Sequence, residues 1–117
     1  MTAFRLISLP AHGAMELLVG VLLMAAPFVL AFSPAATVVV VLIGALVTGL
    51  ALGAAASDTG AIDIAAHYTS DLALAVGMLG AGLVFAVAGD GPAGAVLLAG
   101  GVAQLALNLT TRYSANR

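Results

Sequence analysis

Charge is the scarcest commodity in this chain. Eight of its 117 residues are formally charged, 7% in all, where a soluble domain carries about a quarter. From Leu17 to Ser57 there is none, a run well beyond the roughly 20 apolar residues that cross a bilayer once. A soluble globular fold is thereby excluded. Lysine is absent and arginine occurs three times, which excludes nucleic acid as a partner because no phosphate-neutralising surface can be built. There is no cysteine, hence no disulfide framework, thiolate nucleophile or cysteine-ligated metal. No nucleophile stands with a base in a recognisable motif, so nothing in the sequence argues for an enzyme.

What remains is hydrophobic: 63% of the residues are apolar and the mean hydropathy is +1.24. Turn residues at Ser33-Pro34 and at Gly89-Asp90-Gly91-Pro92, and a longer break from Ala54 to Ala66, divide the chain into apolar segments near 9–32, 35–54, 64–88 and 92–110. Backbone polar groups in lipid must bond internally, so each segment is predicted to be a transmembrane helix. The expected fold is all-α and polytopic, with four helices. Arg5 before the first apolar run resembles the start of a signal peptide, but Glu16 interrupts that pattern, and the segment is read as a retained membrane helix.

The sequence repeats itself. Ile7-Ser8-Leu9-Pro10-Ala11-His12 aligns with Ile62-Asp63-Ile64-Ala65-Ala66-His67 at an offset of 55, and the register continues through Glu16-Leu17 and Asp71-Leu72. After a small slip, Pro34 answers Pro92, and Gly44 answers Gly100 or Gly101. The chain therefore divides into a first hairpin over 1–54, a linker over 55–63 and a second hairpin over 64–117. Each hairpin crosses twice, so the copies run parallel, related by an axis along the membrane normal. Ser8 and Asp63 are predicted N-caps of helices 1 and 3, with Pro10 in a first turn where its missing N–H does no harm. All three arginines fall on the side holding the termini and the linker, and that side is expected to be cytoplasmic.

Leu17-Leu18-Val19-Gly20, Ala26-Pro27-Phe28-Val29-Leu30-Ala31-Phe32-Ser33 and Ile43-Gly44 together resemble the SPW-repeat family of small bacterial membrane proteins, whose repeats hold two transmembrane helices each. The family's Ser-Pro-Trp motif would be Ala26-Pro27-Phe28, which keeps the proline; the second copy has Ala81-Gly82-Leu83 there. The resemblance implies a multi-pass protein of a bacterial cytoplasmic membrane and carries no activity with it.

The residues richest in chemistry are His12/Glu16 and their repeat equivalents His67/Asp71. Spacing i,i+4 puts each pair on one helix face. That face continues through Gly20, Leu23 and Pro27 in helix 1, and through Ala75, Met78 and Gly82 in helix 3, small-residue stripes that suit a bundle interior. The parallel repeat then brings two imidazoles and two carboxylates to one depth, a set able to hold Zn, Fe or Mn. The plainer reading is a hydrogen-bonded cluster that stabilises the bundle and complements the helix dipoles without any ligand. An ion or proton pathway is a third reading. Haem ligation by His12 and His67 has only their matching depth behind it.

Thr48, Gln104 and Asn108 are expected to extend these groups into a polar layer. Pro27 predicts a kink in helix 1. Gly49/Gly53 and Gly77/Ala81 have small-xxx-small spacing, which predicts close helix contacts within the bundle or between protomers; Gly82, Gly94, Gly100 and Gly101 likewise suit tight packing. The functional expectation is a small integral membrane protein that acts through helix contacts, as a homo-oligomer or an accessory subunit of a membrane complex. The alternative is metal, ion or proton handling by the His/carboxylate cluster.

Overall fold

The computed structural model describes residues 6–55 and 64–111. Among the described residues there are four α-helices: α1 Leu9–Val29, α2 Pro34–Ala55, α3 Ile64–Val87 and α4 Gly91–Thr110. All four are long and apolar enough to cross a membrane, and their outward faces carry leucine and valine, including Leu18, Leu22, Leu42, Leu83 and Val102. This is an all-α, multi-pass architecture. The three arginines, Asp58, the proposed Asp63 cap and most of the linker lie outside the described residues.

The helices start and stop where local chemistry requires. Ser8 caps α1, its hydroxyl accepting from the Ala11 amide at 3.3 Å, with Pro10 in the first turn. Asp90 caps α4 by accepting from the Ala93 amide at 3.2 Å. The first helix ends three residues sooner than its apolar run. Leu30 leaves helical geometry, Ala31 takes a left-handed φ of +55°, and the Phe32 amide donates back to the Pro27 carbonyl at 3.1 Å. The same closure ends α3, where Gly89 has φ +98° and the Asp90 amide donates to the Phe85 carbonyl at 2.9 Å. Both are Schellman closures, and glycine suits the left-handed position that Ala31 occupies at some cost. Pro27 thus sits in the last turn of α1. It lies near where the helix terminates, and its carbonyl helps to close the end.

Burial makes the duplication explicit. The buried residues His12, Glu16, Gly20, Leu23 and Pro27 of α1 correspond one for one, at the offset of 55, to His67, Asp71, Ala75, Met78 and Gly82 of α3. In the second helices the offset is 57: buried Ala36, Val40, Gly44, Val47 and Ala51 match buried Ala93, Leu97, Gly101, Gln104 and Asn108. Gly44 therefore answers Gly101, and Pro34 answers Gly91, both first residues of their helices. The apparent match of Pro34 to Pro92 is off by one residue: α3 runs three residues further than α1 while its turn is one residue shorter, which moves the offset from 55 to 57.

Each hairpin is zipped by glycine. A Cβ on Gly20 would lie 2.9 Å from the Thr48 amide nitrogen and 3.0 Å from the Gly44 carbonyl oxygen; one on Gly82 would lie 3.0 Å from the Leu98 nitrogen. Leu23, Val40, Met78 and Leu97 fill the centre of the bundle. At the turn end, the Ser33 amide donates to Asp90 Oδ2 at 2.8 Å and joins one hairpin to the other. At the opposite end, the Ile7 amide donates to the Thr110 carbonyl at 2.9 Å, tying the approach to α1 to the exit of α4.

Candidate metal centre

His12 and Glu16 lie one turn apart on α1, and His67 and Asp71 one turn apart on α3, all on the buried stripes just described. His12, Glu16 and Asp71 are wholly buried and His67 is 2% exposed. Four atoms, one from each side chain, converge: His12 Nε2, Glu16 Oε1, His67 Nε2 and Asp71 Oδ2. Their four nitrogen–oxygen separations are 2.9 Å for His12–Asp71, 3.1 Å for His67–Asp71, 3.3 Å for His67–Glu16 and 3.6 Å for His12–Glu16. The rings stand edge to face with centroids 5.7 Å apart.

The set has the chemistry and spacing of a metal centre. Imidazole nitrogens and carboxylate oxygens ligate Zn, Fe and Mn, and metal–ligand bonds of about 2.0–2.2 Å arranged tetrahedrally put neighbouring donors about 3.3–3.5 Å apart. The four nitrogen–oxygen separations run from 2.9 to 3.6 Å, close to that value, and donor atoms from all four residues lie within 4.8 Å of one another. Glu16 Oε1 makes no hydrogen bond although it is fully buried, an expensive state for a carboxylate oxygen unless something else satisfies it.

Helix α4 closes the cluster from outside. Gln104 Nε2 donates to Glu16 Oε2 at 2.5 Å. Thr111, the C-cap of α4, sits 2.7 Å from His12 Nδ1 and donates its hydroxyl proton to the Leu107 carbonyl at 2.5 Å. Gln104, Asn108 and Thr111 are all fully buried. In the first repeat the positions equivalent to Gln104 and Asn108 are Val47 and Ala51, so this outer layer belongs to one repeat only.

Thr48 does not join it. Its hydroxyl donates to the Gly44 carbonyl of its own helix at 2.8 Å, the usual way for a helical threonine to satisfy itself, and its backbone packs against Gly20. Gly49 and Gly77 have nothing within 4 Å of a would-be Cβ and so make no close contact within the bundle. Gly53 is buried and Ala81 packs against the core. The close approaches belong to Gly20, Gly44, Gly82, Gly94 and Gly101. Thr111 was not foreseen from the sequence: it follows Thr110 at the end of an apolar run, outside any i,i+4 pair. Only the joining of the two chain ends brings it to His12.

No family model, curated protein or solved structure matches this chain.

Proposed function

We propose that this multi-pass membrane protein holds a divalent transition-metal ion between its two hairpin repeats, with His12, Glu16, His67 and Asp71 as ligands. The observation that carries this reading is the convergence of two Nε2 atoms and two carboxylate oxygens within 4.8 Å of one another inside an apolar bundle. Two neutral imidazoles and two carboxylates sum to a charge of −2, which a divalent cation balances; an unbalanced buried charge is costly. Four protein ligands leave no open position, the pattern of a structural or storage site more than a hydrolytic one. The ion joins α1 to α3 and so one hairpin to the other. The arginine distribution supports cytoplasmic termini, and with them a centre near the cytoplasmic face.

The test is elemental analysis of protein purified in mild detergent without chelator. About one Zn, Fe or Mn per chain is expected, lost in the His12→Ala/His67→Ala double variant. A folded wild-type protein that neither retains nor takes up any of these ions would leave the cluster as two imidazolium–carboxylate pairs and overturn the reading.

Assembly with other copies or with a larger membrane complex is a second reading. It is supported by Gly49 and Gly77, which turn small surfaces outward with open space beyond them. Native mass spectrometry checks it: dimers or larger species that Gly49→Leu and Gly77→Leu disperse support it, and a strictly monomeric chain rejects it.

A further inference from the structure

The inner four residues set which atoms can ligate; Gln104 of α4 and the helix's C-cap Thr111 set how. Glu16 has two carboxylate oxygens, and a metal-binding glutamate uses one or both. Here Oε2 already accepts a hydrogen bond from Gln104 Nε2, while Oε1 faces His67 Nε2 and His12 Nε2. The amide thus reserves one oxygen and leaves the other for the centre.

His12 poses a parallel question of which ring nitrogen faces inward as a lone pair. Thr111 has a single hydroxyl proton, and it goes to the Leu107 carbonyl, which can only accept. The Thr111 oxygen must therefore accept from His12 Nδ1, 2.7 Å away. That bond fixes the proton of a neutral ring on Nδ1, so an ion that takes the place of the 2.9 Å hydrogen bond between His12 Nε2 and Asp71 Oδ2 would meet the Nε2 lone pair.

We propose that Gln104 and Thr111 are positioning residues that hold Glu16 to one inward oxygen and His12 to one inward nitrogen, and so bias the centre toward four-coordinate ligation of a Zn2+-class ion. The proposal rests on the metal reading above. Its consequence is selectivity: a four-coordinate N2O2 site suits Zn2+ and Co2+, whereas a carboxylate free to bind through both oxygens admits the higher coordination numbers that Mn2+ prefers. The second hairpin alone supplies the amide, because Val47 occupies the position of the first that matches Gln104.

Co2+ substitution tests it, since tetrahedral Co2+ absorbs visible light far more strongly than five- or six-coordinate Co2+. The wild-type protein loaded with Co2+ is expected to show the intense tetrahedral bands. Gln104→Leu should lose most of that intensity and narrow the preference for Zn2+ over Mn2+ about tenfold or more. Gln104→Met, of similar length and unable to donate, gives the same readout should leucine disturb the fold. Thr111→Val should weaken Zn2+ binding about tenfold or more, and Thr111→Ser should restore it.

Unchanged spectra and selectivity in folded Gln104 variants, or unchanged Zn2+ affinity in Thr111→Val, overturn the positioning roles while leaving the centre intact. A wild-type protein that takes up neither Co2+ nor Zn2+ overturns the metal reading, and this proposal with it.

Discussion

His12 Nε2 and Asp71 Oδ2 lie 2.9 Å apart, on different hairpins and 59 residues apart in sequence. Equivalent cross-links join Glu16 to His67 and to Gln104, and His12 to Thr111. The repeats are thus bridged through a polar core at one end, while Asp90 bridges their turns at the other. Between these ends the contact is apolar, through Leu23, Val40, Met78 and Leu97.

Removing one partner of a buried charged set leaves the others uncompensated. Asp71→Ala should destabilise the protein by about 3–5 kcal/mol, read as a fall in the thermal midpoint in detergent. A change within about 0.5 kcal/mol would show that Asp71 is dispensable to the packing.

A metal that binds only the folded bundle stabilises it by mass action. Chelation of metal-loaded protein should lower the melting temperature, by an amount equivalent to about 2.7 kcal/mol where free metal had stood at a hundred times its dissociation constant. Re-addition of Zn2+ should restore it, and the His12→Ala/His67→Ala variant should be indifferent to both treatments.

Gly20 and Gly49 should respond in opposite ways to the same methyl group. In Gly20→Ala the new carbon meets backbone of α2, and a cost of about 1–3 kcal/mol is expected from overpacking. Gly49→Ala meets nothing and should be neutral or stabilising by up to about 1 kcal/mol through helix propensity. Paired thermal melts of the two variants check the contrast.

Asp90 predicts an acid-side sensitivity. The Ser33 amide that donates to its carboxylate holds its pKa below the usual 3.8. A carboxyl depressed in the folded state contributes stability above its unfolded pKa and loses that contribution as pH falls through the folded value. The pH dependence should therefore steepen below 3.8, and Asp90→Asn should flatten it in a melting series across that range.

The four helices, their boundaries except the end of α1, and the equivalence of His12/Glu16 with His67/Asp71 were legible in the sequence, because apolar length, turn residues and an internal repeat are local or periodic signals. Ser8 as a cap and the inward stripes followed from the same logic. The end of α1 was not legible: the apolar run continues to Phe32, and only the left-handed Ala31 and the Phe32–Pro27 hydrogen bond stop it. The Thr48 hydroxyl donates to its own backbone, which spacing along one helix does not foretell. The pairing of Glu16 with Gln104, 88 residues away, depends on how hairpins dock, which no local pattern encodes. Gly49/Gly53 advertised a contact motif, yet glycines with the less conspicuous spacing of Gly20 and Gly44 make the contact.

The asymmetry between Val47/Ala51 and Gln104/Asn108 has a consequence for how such a protein can be assembled. Two unlinked copies of the first hairpin, docked about a two-fold axis, would offer two histidines and two glutamates but no amide to restrain either glutamate. Two copies of the second would offer two such amides, one too many for a core that has given the opposite positions to valine and alanine. Joining unlike halves in one chain fixes their ratio at one to one. It lets one half specialise as an apolar wall and the other as the orienting layer, a division of labour closed to a homodimer of identical hairpins.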